Sequence, residues 1–129
     1  MKIYTEVTVP ANTPASSPTT SELKLSAGTI TFSHLYFPPG SGGYLYIQVW
    51  YNGHQLIPWQ RGKWLRGDDL LVPDYGQYPC IDAPNRLTIK GYNTATEYEH
   101  SALIGVEITP YAPVVGSLED LALVGRRFV

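Results

Sequence analysis

The stretch "YLYIQVWYNGHQLIP", Tyr44–Pro58, carries the clearest structural signal in this sequence. Its first eight residues alternate between two kinds of side chain, as they do in a strand, where successive side chains point to opposite faces. One face is aliphatic (Leu45, Ile47, Val49) and the other is aromatic and polar (Tyr44, Tyr46, Gln48, Trp50). Asn52-Gly53 follows, and both residues tolerate the positive φ that a type I′ turn requires. The stretch therefore predicts a β-hairpin whose second strand ends at Pro58.

The same alternation continues on both sides of this hairpin. It predicts strands over residues 2–9, 22–37 (two strands, broken near Gly28), 69–73, 86–93 and 100–111. Residues 74–85 are interpreted as a loop, and the last two strands as a hairpin. About eight strands without an interior amphipathic helix indicate an all-β protein with a single antiparallel β-sandwich, either jelly-roll or immunoglobulin-like.

Two segments differ from the strands in composition. Residues 10–21, "PANTPASSPTTS", contain three prolines and predict an extended arm or connector. Residues 112–129 carry a capping serine, early acidic residues and late arginines, which favour a short C-terminal helical tail. The predicted organisation is a sandwich domain over residues 1–111 followed by this tail.

Length and composition restrict the classes of function. A chain of 129 residues fits one domain, and its net charge of −2 argues against a general nucleic-acid or membrane-surface partner. Cys80 is the single cysteine, so no internal disulfide is possible. No leader or membrane-spanning segment is predicted from the sequence. The low charged fraction of 16% suits a protein that is docked to something else.

The loop after Pro58 combines Trp59, Trp64 and the tripeptide Arg66-Gly67-Asp68. We interpret the tripeptide as ordinary turn chemistry rather than as an adhesion motif. Large aromatic side chains anchor long loops, so both tryptophans are predicted to fix this loop on the sheet. A platform on which the tryptophans and tyrosines stack against sugar rings stays open as the alternative.

No set of residues predicts catalysis or a resident metal. The three histidines, His34, His54 and His100, lack the H-x-H pair of a cupin-type metal site, and the loop acids do not have EF-hand spacing. Phosphate-binding glycine loops, nucleophile elbows and C-x-x-C pairs are also missing from the sequence. We therefore expect a protein that is not an enzyme and needs no cofactor.

One resemblance goes beyond composition. It rests on the N-terminal strand ending in "VPANTPASSP", a strand pair around the Pro38-Pro39-Gly40 turn, then "NGHQLIPW", "WLRGDD", "LTIKGYN" and "HSALIGVEIT". Together these segments, over residues 1–110, resemble a group of small β-sandwich virion proteins of tailed bacteriophages. At the level of architecture the chain also resembles capsid decoration, or cement, proteins.

The resemblance implies a non-enzymatic virion structural protein, assembled in the host cytoplasm. A capsid decoration protein would bind the major capsid protein or other virion proteins and stabilise the particle. The alternative is a glycan-binding or adhesin module of a spike or fibre. Aromatic side chains are enriched in interface cores, so a homo-oligomer, most simply a trimer, is expected. The predicted contact residues are Tyr44, Tyr46 and Trp50 on the sheet and Leu118, Leu121 and Phe128 in the tail. The two irregular segments, residues 10–21 and 112–129, are expected to attach the domain to the virion, with packing of the tail on its own sheet as the alternative.

Overall fold

The computed structural model describes residues 2–80 and 85–110, which form an antiparallel β-sandwich without helices. No described segment is a helix that could cross a membrane. The strands are β1 Lys2–Val9, β2 Thr19–Lys24, β3 Gly28–Phe37, β4 Leu45–Tyr51, β5 His54–Ile57, β6 Leu65–Arg66, β7 Leu70–Cys80, β8 Arg86–Asn93 and β9 His100–Pro110. The all-β prediction is confirmed. The predicted helical tail lies outside the described residues.

Two sheets share these strands. Sheet A has the order β1-β9-β3-β7, and sheet B has the order β2-β8-β4-β5, with the two-residue strand β6 also paired to β4. Every pairing is antiparallel. Apart from the stretch β4-β5-β6, each connection between successive described strands passes from one sheet to the other.

The core lies between the sheets and consists of the aliphatic faces of their strands. Leu45, Ile47 and Val49 are buried, as the alternation in β4 predicts. The hairpin turn is also confirmed, because Asn52 and Gly53 have φ of 44° and 87°. The other buried residues include Val7, Val9, Ile30, Leu35, Phe37, Leu87, Ile89, Ala102, Ile104, Val106 and Ile108.

Three sequence-based expectations about the strands are wrong. Residues 74–80 belong to β7 rather than to a loop. Among the described strands β7 pairs with β3 alone, and prolines are tolerated in such an edge strand. Strands β8 and β9 are not a hairpin, since β8 lies in sheet B and β9 in sheet A. The Pro38-Pro39-Gly40 turn likewise connects strands of different sheets.

The N-terminal connector is shorter than predicted. Thr19–Ser21 already belong to β2, which forms the outer edge of sheet B beside β8. Earlier in the connector, the backbone N–H of Asn12 donates to the carbonyl oxygen of Ala95 at 2.8 Å, and Thr13 forms a bridge with Asn93. This connector therefore runs along the domain's own surface, beside the loop between β8 and β9.

Candidate functional site

The three contact residues predicted on β4 do not share one surface. Tyr46 and Trp50 lie on the outer face of sheet B and are partly buried. Tyr44 precedes the first residue of β4, and its side chain is 51% exposed at one end of the sandwich. There its ring stacks on the imidazole of His100, with the centroids 6.4 Å apart. Leu118, Leu121 and Phe128, the predicted contacts in the tail, lie outside the described residues.

The aromatic residues of the outer face of sheet B contact one another. The rings of Tyr46 and Tyr92 stack with centroids 4.3 Å apart, and Trp64 contacts Tyr92 edge-on at 4.7 Å. The guanidinium of Arg66 lies over the ring of Tyr46 and donates to its hydroxyl at 2.7 Å. These contacts are within the chain, so much of this surface is already covered.

The loop from Pro58 to Trp64 is held on the same face by side-chain amides. Gln48 and Gln55 both donate through Nε2 to the carbonyl oxygen of Lys63, each at 2.8 Å. The Nε1 of Trp50 donates to Oε1 of Gln48 at 2.9 Å. Because the loop leaves β5 and returns as β6 to the edge of β4, it is part of the sheet's architecture.

The two loop tryptophans have different environments. Trp64 is partly buried against Tyr92, as an anchor should be. Trp59 is 74% exposed, so the expectation that its ring anchors the loop is wrong. The hydrogen bonds of Gln48 and Gln55 to Lys63 supply the second attachment instead. An amide holding a loop's backbone is not visible in a sequence pattern.

The outer face of sheet A carries an apolar and aromatic cluster, which is bordered by the charged residues Lys2, Glu6 and Glu107. It carries the residues that we call the sheet A face: Tyr4, Phe32, His34, Tyr36, Leu71, Tyr75 and Leu103. Leu71 is 55% exposed and Tyr75 is 77% exposed. The outer face of an antiparallel sheet is usually polar, so this surface is unusual for a face in contact with water.

Aromatic contacts organise the sheet A face. The rings of Tyr4 and Phe32 each lie 5.8 Å from the imidazole of His34, and Phe32 lies 4.8 Å from Tyr75. Gly105 of β9 lies beneath them. A Cβ at Gly105 would approach Cε1 of His34 to 2.5 Å and Cδ1 of Tyr4 to 2.7 Å. The glycine therefore lets two rings lie close over the backbone of the sheet.

A cleft of about 400 Å³ opens at the end of the sandwich where Tyr44 lies. Its lining residues are Gly40, Tyr44, Thr94, Ala95, Thr96, Glu97, Tyr98 and His100. Tyr98 is 69% exposed. The cleft therefore combines two phenol rings, an imidazole, two hydroxyls and one carboxylate.

The tripeptide Arg66-Gly67-Asp68 is used within the fold. Oδ1 of Asp68 accepts hydrogen bonds from the backbone N–H groups of Gly40 and Gly42 at 2.8 and 3.2 Å. The amides of Gly42 and Gly40 hold the pKa of the Asp68 carboxyl below its ordinary value. Asp68 thus accepts backbone N–H bonds, as expected, but from the turn between β3 and β4 rather than from its own segment.

The histidines are separated. His34 lies on the sheet A face, His54 is exposed at the start of β5, and His100 stands at the cleft. Across residues 2–80 and 85–110, no three His, Cys, Asp or Glu side chains are grouped as metal ligands.

Comparison with known proteins adds no family: no family model matches the chain, and no curated protein matches it.

Sequence reasoning missed the sheet A face and the cleft. The alternation in β1, β3 and β9 was visible, but the neighbours of each strand were not. Glu97 and Tyr98 lay in a segment interpreted as a simple hairpin loop. Their proximity to Tyr44 arises only because that segment connects the two sheets.

Proposed function

We propose that the protein is a non-enzymatic virion structural protein that decorates the outer surface of a capsid by binding the major capsid protein. The sequence resemblance to small β-sandwich virion proteins suggests this role. The observation that carries it is the exposed apolar surface of sheet A, because large exposed apolar patches mark interaction sites.

The strand order supports a jelly-roll type of sandwich rather than an immunoglobulin-like one. Four antiparallel strand pairs lie one inside the other along the sequence: β1 with β9, β2 with β8, β3 with β7, and β4 with β5. Pairing of β3 with β9 and of β4 with β8 then joins these pairs into two sheets. Eight strands in two sheets make up a jelly roll, an architecture found in viral capsid proteins, lectins and cupins.

The interior argues against the cupin class among these. Cupin-type chemistry requires metal ligands inside the sandwich, whereas this interior is filled by aliphatic side chains. The fully buried Ile47, Ile89 and Ile104 are examples. With the interior occupied by the core, surfaces are left to carry the function, as in a structural or binding protein.

The sheet A face is suited to a protein partner. Leu71 and Leu103 are the partners of Tyr36 on the two neighbouring strands. Tyr4 lies in the next row of outward-facing residues, and Tyr75 lies in the row after that. Apolar and aromatic side chains of this kind dominate the centres of protein interfaces. Docking this face on the capsid would remove it from water.

The proposal keeps two features expected from the sequence. One is a closed homo-oligomer, most simply a trimer, on the particle. The other is attachment aided by the chain's ends, residues 10–21 and 112–129. The hydrogen bonds of Asn12 and the pairing of β2 occupy part of the first segment, so we assign attachment chiefly to the sheet A face and the tail.

The first test is made on purified virions of the virus that carries the gene. Mass spectrometry should find the protein in the particles, and cryo-electron microscopy should place hundreds of copies on the capsid with sheet A facing it. A protein absent from virions would refute the proposal. A handful of copies at the tail would refute the decoration role.

A matched pair of variants tests the surface. Leu71→Lys places a charge on the sheet A face, whereas Gln60→Lys places the same charge on the exposed loop beside sheet B. In a co-sedimentation assay with undecorated capsids, Leu71→Lys should abolish binding, and Gln60→Lys should bind like wild type. Equal binding by both variants would exclude the sheet A face as the docking surface.

A further inference from the structure

The cleft at the end of the sandwich is bordered by two segments that are each fixed by hydrogen bonds. On one side, Asp68 holds the backbone of Gly40 and Gly42, and the N–H of Tyr44 donates to the carbonyl oxygen of Ser41 at 2.9 Å. This side presents the ring of Tyr44. Its position is set by the fold before any ligand arrives.

The other side of the cleft is the connection from β8 to β9, residues 94–99. The buried amide of Asn93 donates to the carbonyl oxygen of Tyr98 at 3.0 Å and accepts from the N–H of Ala95 at 2.9 Å. Asn12 contacts the same connection through Ala95 and Thr96. A loop tied at this many points is preorganised, which reduces the entropy cost of binding.

The groups in the cleft fit a carbohydrate. Tyr44 and Tyr98 offer aromatic faces, whose negative π-surface attracts the polarised C–H groups of a sugar ring. Thr96 offers a hydroxyl that can donate and accept. The hydroxyl of Thr94 donates to the carbonyl oxygen of Tyr44 at 3.4 Å and can still accept, and the carboxylate of Glu97 accepts from sugar hydroxyls. The volume of about 400 Å³ lies within the usual range for ligand sites.

The charge of the cleft restricts the carbohydrate further. Glu97 is the carboxylate in the lining, and Asp68 stands directly behind Gly40. Among residues 2–80 and 85–110, no lysine or arginine lines the cleft, and its imidazole, that of His100, is stacked on Tyr44. A sialylated or sulfated sugar would place its negative charge beside these carboxylates, which is unfavourable. A neutral sugar brings no such cost.

We propose that this cleft binds a neutral glycan, with the sugar ring against Tyr98 and Tyr44 and its hydroxyls bonded to Glu97 and the two threonines. This inference does not rest on the structural role, because the cleft lies at the end of the sandwich and the sheet A face on its side. A decoration protein with such a cleft would give the particle a carbohydrate-binding surface.

The test begins with the purified, fluorescently labelled full chain on an array of neutral, sialylated and sulfated glycans. Neutral glycans should be bound, and anionic glycans should not. The best neutral glycan is then titrated against the wild type and three variants. Tyr98→Ala and Glu97→Gln should each weaken binding by about tenfold, which corresponds to about 1.4 kcal/mol.

Tyr75→Ala is the matched control, because Tyr75 is another highly exposed tyrosine but lies on the sheet A face. It should bind the glycan like wild type. The proposal is overturned if no neutral glycan binds, if anionic glycans bind better, or if Tyr98→Ala binds as well as Tyr75→Ala. Capsid binding is measured separately with the Leu71→Lys variant, so failure of either proposal is distinguishable from failure of the other.

Discussion

The side-chain amide of Asn93 in sheet B donates a hydrogen bond to the carbonyl oxygen of Val9 in sheet A, across 3.1 Å. Both residues are almost completely buried. The same nitrogen also donates to the carbonyl oxygen of Tyr98, and the amide oxygen accepts from Ala95. One polar side chain thus joins the two sheets and shapes the loop beside the cleft.

Asn93→Ala should destabilise the protein by about 1–3 kcal/mol, because it leaves the buried backbone groups of Val9 and Ala95 and the part-buried carbonyl of Tyr98 without their partner. Urea unfolding measures the change. Asn12→Gly is the control, since it removes one exposed amide bond to the same loop and keeps the positive φ of 59° accessible. A loss for Asn93→Ala no larger than that for Asn12→Gly would contradict this role.

Trp64→Ala should lower the free energy of unfolding by about 1–3 kcal/mol, less than the 3–5 typical of a fully buried aromatic, since Trp64 is only partly buried against Tyr92. Trp59→Ala should change it by no more than about 0.5 kcal/mol, because Trp59 is 74% exposed. Thermal unfolding of the two variants side by side makes the comparison. Equal losses of stability in the two variants would contradict the expectation that the buried fraction of each ring determines its contribution.

Gly28→Ala should lower the free energy of unfolding by about 1–3 kcal/mol, because adding a methyl group to a closely packed site usually destabilises a protein by this amount. A Cβ at Gly28 would overlap the backbone oxygen of Thr109 and lie 2.6 Å from Cγ2 of Ile108. At Gly76, on the edge strand β7, the nearest atom would be the ring of Tyr78 at 3.1 Å, which can move. Gly76→Ala should therefore be tolerated, and chemical denaturation that ranks the two variants in reverse would refute the argument.

Acid should weaken the turn held by Asp68. The amides of Gly42 and Gly40 lower the pKa of Asp68 in the folded protein. The ionised carboxylate therefore adds to the free energy of unfolding above the unfolded pKa, near 3.9. This stabilisation is lost as the pH falls through the folded pKa. We expect the Asp68→Asn variant to have a lower Tm than the wild type at pH 7. The difference in Tm should narrow as the pH falls below the unfolded pKa and through the lower folded one. A difference that stays constant with pH would show that the charge does not matter.

Cys80 should be unreactive in the folded protein. Its side chain is fully buried, which limits the access of a reagent to the sulfur. Burial also raises the pKa of the thiol, so a smaller fraction is present as the reactive thiolate. Modification with DTNB at pH 8 should be at least about a hundredfold slower than in urea, because it requires local opening. Reaction at the rate of the unfolded chain would place the thiol at the surface instead.

Much of the local structure follows from the sequence alone. The alternation in "YLYIQVW" identified which side chains of β4 are buried, because side-chain direction in a strand has a period of two whatever the neighbours are. Asn52-Gly53 set the hairpin between β4 and β5, because few residues other than glycine and asparagine accept positive φ. These are properties of the chain within a few residues.

The identity of each strand's neighbours was decided only by the tertiary structure. From "LTIKGYN" and "HSALIGVEIT" a hairpin was expected, yet β8 and β9 lie in different sheets, because alternation fixes the buried face of a strand and not its partner. For the same reason the sequence did not predict the sheet A face, which forms only when β1, β9, β3 and β7 lie side by side. It also did not predict the cleft, which forms only when Tyr98 lies next to Tyr44. Contacts across such sequence distances depend on how both sheets bury their apolar faces together, and no short segment contains that information.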